Sequence, residues 1–136
     1  MIKLLFLTFI LLFSGVKTHK LSIHISGISK IKGSLFIAVF RATDDFPVFG
    51  KQFKGIVKEV EGKSQNYTFD DLPEGDYAVA IYQDLNRNKI LDKNLLGIPT
   101  EIYGFSNNAR RAFSAPSFQE AKFKLNKDLQ QTVFLK

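Results

Sequence analysis

The chain has no cysteine and no tryptophan among its 136 residues. The missing cysteines exclude disulfides, thiol nucleophiles, thiolate metal sites and the lipid-modified cysteine of a lipoprotein. Histidine is nearly absent too. His19 and His24 are the only two, and both lie far in sequence from any acidic cluster, so a zinc centre has little to draw on. No stretch carries a block of like charges. The formal net charge of +6 is spread along the chain and reads as solubility and weak attraction to anionic surfaces. Without lysines and arginines clustered on one element there is no footprint for nucleic acid. The one long apolar run, Leu4 to Phe13, is too short to span a bilayer comfortably.

That run has a different use. Met1-Ile2-Lys3 supplies a positive start, Leu4 to Phe13 an apolar core, and Ser14 to Thr18 a small, polar exit, which together predict an export signal cleaved between Ser14 and Thr18. An uncleaved N-terminal anchor is the alternative. Residues 1–18 are therefore read as signal and 19–136 as one domain, exported to the periplasm or the extracellular space, with no transmembrane segment after cleavage. The whole chain is 45% hydrophobic with 14 phenylalanines, enough for one real core.

Short strands separated by turns run through this domain. Leu21 to Ile25 alternates strictly, with His24 outward. Gly33 to Phe40 and Tyr77 to Tyr82 are apolar at every other position and between, so both are expected as central strands. Ile56–Val60 and Asn66–Asp70 read as a hairpin around Gly62-Lys63. Ala121 to Leu125 and Thr132 to Leu135 supply two more strands. Thr43 to Gly55 carries three phenylalanines that can fold back onto the core. Seven strands without a long amphipathic helix predict an all-β, antiparallel sandwich. One long aperiodic segment, Asp84 to Ser117, is expected to be ordered, with Phe105, Phe113 and Phe118 as anchors.

Two motifs lie in that segment. In "DLNRNKILD" oxygen-bearing side chains alternate. Asp84, Asn86, Asn88, the Ile90 carbonyl and Asp92 match the first, third, fifth, seventh and ninth positions of a calcium loop. The sixth position, which calls for glycine, holds Lys89. The twelfth, which calls for a bidentate glutamate, holds Leu95, so Glu101 would have to fold in instead. Few carboxylates and basic neighbours imply a calcium affinity no better than ~10⁻⁴ to 10⁻³ M. The competing reading is a metal-free turn in which Asp and Asn side chains cap their own backbone.

The second motif is "GFSNNARR". Adjacent guanidinium groups of Arg110 and Arg111 can grip a carboxylate or phosphate, and Ser106, Asn107 and Asn108 add neutral donors and acceptors suited to a sugar or peptide. The competing reading has the asparagines holding an irregular loop while the arginines neutralise Asp84, Asp92 or Glu101.

"LPEGDYAVAIYQDLNRNKILD", "LGIPTEIYGFSNNARRAF" and "PSFQEAKFKL" together resemble the bacterial secreted family catalogued as domain of unknown function 2141, from about Leu21 to the C-terminus. The resemblance implies a transthyretin-like, or prealbumin-like, sandwich and no established activity. The family usually has glycine where this chain has Lys89. Hydrolases of the transthyretin-like superfamily use histidines and a C-terminal Tyr-Arg-Gly-Ser motif, and this chain lacks that motif.

The expectation is a non-enzymatic domain that works by binding or by structural association at the cell envelope, with a protein or carbohydrate as partner, calcium as its one candidate cofactor and no catalytic residue assigned. The rival is a small envelope hydrolase using Asp92 and Glu101 as acid and base. The rival requires Asp92, Glu101 and Arg110 to converge on an open pocket.

Overall fold

Two apolar strands with both faces hydrophobic can only be satisfied in the middle of three layers. The computed structural model, which describes residues 14–136, has that arrangement. The expected signal core at Leu4–Phe13 lies outside the described residues. Eight strands form, in order β1 (Thr18–Ser26), β2 (Ser34–Arg41), β3 (Lys54–Glu59), β4 (Gln65–Pro73), β5 (Gly75–Asp84), β6 (Tyr103–Phe105), β7 (Phe123–Leu125) and β8 (Leu129–Phe134). One short helix, α1 (Phe118–Ala121), precedes β7.

The strands make a three-stranded sheet, β4-β1-β8, and a five-stranded sheet in which β3-β2-β5-β6 are neighbours and β7 also pairs with β5. The all-β sandwich is thus as expected, with eight strands rather than seven. The extra one is β6, three residues long and too short to carry a period. β1 and β8 run parallel, so the sandwich is not wholly antiparallel.

One pairing differs from the sequence reading. Ile56–Val60 and Asn66–Asp70 do not form a hairpin. β3 pairs with β2 and β4 pairs with β1 in the other sheet. Turn residues between two strands fix a reversal of direction but not a shared sheet, and here the chain crosses from one layer to the other.

The main core lies between the sheets. Leu35, Ile37 and Val39 of β2 and Tyr77, Val79 and Ile81 of β5 meet Leu21, Ile23, Ile25, Phe69, Leu72 and Val133 of the opposing sheet. The intervening residues of β2 and β5 face the other way. Ala38, Phe40, Ala78 and Ala80 form a second cluster with Phe105 and Ala121. Phe46 and Phe49 of the 43–53 connection, with Phe118 of α1, pack over it. Edge-to-face ring pairs join this cover, including Phe40–Phe46 at 5.3 Å and Phe46–Phe118 at 6.1 Å, a geometry that aromatic quadrupoles favour. The alanines leave room for those rings to approach the sheet.

Of the three expected loop anchors, Phe105 and Phe118 serve as such, but Phe113 does not. Its side chain is fully exposed.

Val79 is completely buried in the main core and pairs with Val39 in the central ladder. Val79→Ala should therefore destabilise the fold by about 1–3 kcal/mol, through lost methyls and the void they leave. Denaturant unfolding checks this, and an unchanged midpoint would contradict the central placement.

Candidate functional site

β5 ends at Asp84, where the acidic loop begins. Gly33, at the start of β2, sits against this point with a φ of +72°, and any side chain there would collide with the Asp84 carbonyl. The loop therefore springs from a fixed base. Asp84 is 3% exposed. Its two oxygens accept from the Asn88 N–H (3.2 Å) and the Lys89 N–H (2.7 Å). Asn86 Oδ1 accepts from the Asn88 N–H and Asn88 Oδ1 from the Ile90 N–H. Both asparagines donate their side-chain amides to Asp92, each at 2.7 Å. This wound turn demands left-handed backbone at Arg87 (φ 58°) and Lys89 (φ 63°), conformations that glycine adopts without penalty.

Glu101 does fold in. It is 6% exposed, and its oxygens accept from the Leu85 N–H (2.9 Å) and the Asp92 N–H (3.1 Å). One carboxylate thus ties the loop's first turn to its last. Ile90 contributes its N–H to the turn and leaves its side chain exposed. The six residues from the calcium reading are therefore brought together, each engaged with the loop's own polar groups. Among the described residues no group of three or more His, Cys, Asp and Glu is gathered closely enough to hold a metal ion.

The Asn-Arg motif forms a 3₁₀ turn at Ser106–Asn108 that follows β6. Ser106 is fully buried. Its hydroxyl donates to the Ala121 carbonyl (2.6 Å) and accepts from the Val79 N–H (2.8 Å), so it offers nothing to a ligand. Asn107 and Asn108 take left-handed φ values of 58° and 48°, which asparagine tolerates better than most residues. The Asn107 amide donates to the carbonyls of Glu120 and Lys122. Asn108 Oδ1 accepts from the Phe134 N–H.

Arg110 donates to the carbonyls of Tyr103 and Lys136 and stacks over the Tyr103 ring at 4.8 Å. Arg111 pairs with Glu120 at 2.9 Å. Neither arginine neutralises Asp84, Asp92 or Glu101. The five residues read as a ligand grip are clamps between β6, β8, α1 and β5. Gly104 makes the seam tight, since a Cβ there would lie 2.6 Å from the Phe134 carbonyl oxygen.

What remains open is apolar. A cleft of about 1160 Å³ lies over the outer face of the five-stranded sheet, walled by Phe49, Tyr82, Ile90, Leu96, Ile98 and Phe113. Asp92, Glu101 and Arg110 do not line it. Sequence reasoning missed this cleft because its walls come from three aperiodic segments. Tyr82 lies in its floor, stacked on Phe36 at 5.4 Å. The Tyr82 hydroxyl is buried without a hydrogen-bond partner. Burial, and then the nearby Asp84, Glu101 and Asp92 charges, push its pKa up to about 12.

A family model described as an uncharacterized protein conserved in bacteria (DUF2141) matches residues 23–133. No curated protein and no solved structure matches the chain significantly.

Two substitutions should move stability in opposite directions. Ser106→Ala strands a buried N–H and a buried carbonyl, and should cost about 1–3 kcal/mol. Tyr82→Phe removes an unsatisfied buried hydroxyl and should be neutral or stabilising by about 1 kcal/mol. The raised Tyr82 pKa favours the protonated folded state. Its contribution is complete below the unfolded value near 10 and is lost as pH rises toward about 12. Alkaline melts of Tyr82→Phe should accordingly fall less steeply over that window than those of the native protein.

Proposed function

The chain belongs to this family of uncharacterised bacterial proteins, and on that premise we propose that it is an exported, non-catalytic domain that works by binding at the cell envelope. One observation carries the reading. The carboxylates of the acidic loop, Ser106 and Arg110 are hydrogen-bonded within the chain, whereas a cleft lined mostly by apolar residues stays open. Acid–base hydrolysis requires two carboxyl groups facing a space that substrate can enter. Glu101 instead faces two backbone N–H groups, and Asp92 faces two asparagine amides. A carbohydrate is also a poor partner, since the Ser106 hydroxyl is buried and the Asn107 amide and Asn108 Oδ1, though exposed, are bonded to backbone groups.

Export is supported by the apolar Leu4–Phe13 run, and the periplasm or the extracellular space is the location this reading assigns. The Lys17 carbonyl accepts from the Glu74 N–H, so a cut ahead of Lys17 leaves the start of the fold intact. The test is to add residues 14–136 to isolated bacterial envelopes. The protein should pellet with them and release no soluble fragments. A hydrolytic activity lost in Asp92→Asn or Glu101→Gln would replace this reading with the enzyme.

Calcium is a second reading, supported by one specific observation: Glu101 folds in and its carboxylate spans the loop from Leu85 to Asp92. Each carboxylate oxygen has lone pairs beyond the hydrogen bond it accepts. With a Kd near 10⁻³ M, ten millimolar calcium would add about 1.4 kcal/mol by mass action, a few degrees in Tm. Lys89→Gly separates two effects. Relief of the left-handed backbone should stabilise the protein by about 0.5–1 kcal/mol with or without calcium. Only a bound ion would make the gain larger in calcium than in magnesium. Titration calorimetry without heat at millimolar calcium would leave the loop as a self-capped turn.

A further inference from the structure

The segment after the acidic loop forms a small closed finger. Lys93 and Pro99 pair as an isolated bridge. Inside it the Asn94 N–H donates to the Ile98 carbonyl (2.9 Å) and the Gly97 N–H to the Asn94 carbonyl (3.0 Å). Asn94 Oδ1 accepts from the N–H groups of Leu96 and Ile98. Gly97 supplies the positive φ of 76° that the turn needs. The tip is thus held by its own hydrogen bonds, yet what it presents is hydrophobic. Leu95 and Leu96 are 107% and 83% exposed, and Ile98 is 56% exposed. Phe113, 102% exposed, and Ile90, 62% exposed, border the same cleft as Leu96 and Ile98.

The charged side chains that line the cleft have one sign. Lys89, Lys93 and Arg111 line the cleft and no Asp or Glu does. Arg111 is paired with Glu120. None of the ion pairs among the described residues uses Lys89 or Lys93. We propose that the leucine-tipped finger and Phe113 dock this protein on an anionic phospholipid surface, with Leu95, Leu96 and Phe113 entering the boundary of the acyl chains and Lys89 and Lys93 meeting phosphates. The proposal rests on the envelope-binding reading and names its partner.

Three arguments select this occupant. A small molecule in the cleft would leave Leu95 uncovered, because Leu95 is not part of the cleft wall. A broad apolar boundary covers the finger tip and Phe113 together. A second copy of the chain, docked face to face, would set lysines against lysines. Finally, a segment at the edge of a bilayer gains from satisfying its backbone donors internally, and the finger does so for the N–H groups of Asn94, Leu96, Gly97 and Ile98, which leaves the Leu95 and Phe113 backbone at the level of the hydrated headgroups. Apolar side chains at the headgroup boundary combined with lysines above it are the pairing that interfacial binding uses.

The chain has no tryptophan, so Leu96→Trp places a single reporter at the tip. Residues 14–136, which hold both sheets, avoid interference from the apolar N-terminus. On vesicles of phosphatidylcholine with phosphatidylglycerol the emission should shift to the blue and be quenched by a bilayer-embedded quencher. The response should weaken with salt, as screened lysines require, and be small on phosphatidylcholine alone. The native protein should cosediment with the same anionic vesicles. Leu95→Ser/Leu96→Ser should weaken that binding at least about tenfold with an unchanged melting temperature, and Lys89→Gln/Lys93→Gln should remove its salt dependence. Emission unchanged by anionic vesicles would overturn the proposal. So would a blue shift that grows with protein concentration in the absence of lipid, which would make the finger a protein interface. In either case pelleting with envelopes would still support the broader binding reading, and its loss would reject both.

Discussion

Everything outside the two sheets depends on one constraint: the central strands β2 and β5 are apolar on both faces. Packing the three-stranded sheet against them buries Leu35, Ile37, Val39, Tyr77, Val79 and Ile81, but leaves Ala38, Phe40, Ala78 and Ala80 on the far side. A sheet face of that composition cannot stay in water at a reasonable free energy. The long segment after β5 and the connection after β2 must therefore cover it. They do so mostly with aromatic rings, α1 adding only four helical residues, and rings on irregular backbone need their peptide groups satisfied one by one.

That requirement explains the polar motifs. Ser106 holds β5 to α1, Asn107 holds the carbonyls around α1, and Asn108 and Arg110 hold the end of β8. α1 is itself started by a reciprocal bond between Ser117 and Glu120, a capping box. The acidic loop is the same device at the other end of the cover. Asp84 and Glu101 are buried because each accepts two backbone N–H bonds, and a buried carboxylate is tolerable only with such partners. The family motif is then mostly a description of how the cover is fastened down.

The sheets were legible in the sequence because alternation and two-faced hydrophobicity are local signals. Leu21–Ile25 shows the first in β1 and Tyr77–Tyr82 the second in β5. The partner of β3 was not legible, since pairing is decided by which layer has room and not by the turn at Gly62-Lys63. Within the long segment, residue types pointed to the right places and the wrong partners. Asp84 through Asp92 and Glu101 do converge, and Ser106 through Arg111 do form one cluster. Nothing in a linear string distinguishes an amide facing solvent from one facing the carbonyls of Glu120 and Lys122. Phe113 shows the converse failure, because an aromatic residue in a long loop suggests burial by composition alone. Tyr82 escaped notice because strand alternation places it correctly in the cover and says nothing about the far end of its ring.

The division of labour in this molecule is inverted relative to the usual binding loop. Polar side chains, ordinarily the ones that meet a partner, are bonded to irregular backbone, with Asp84, Glu101 and Ser106 buried in doing so. Large apolar side chains, ordinarily the ones that hold a loop down, stand outward on Leu95, Leu96 and Phe113. Sequence could in principle have favoured simple surface residues at these tips, since the finger's shape needs only Asn94 and Gly97. A fastened cover is what makes the inversion workable. Because the asparagines and Glu101 fix the segment without help from its hydrophobic residues, those residues are free to be displayed. An exposed leucine on a floppy loop would collapse onto the nearest apolar surface. On a finger whose backbone is closed by its own hydrogen bonds it is held in water, at a cost of roughly 1.5–3 kcal/mol for each large side chain left uncovered. That uncovered surface is a standing driving force for association, directed by geometry to one side of the sandwich.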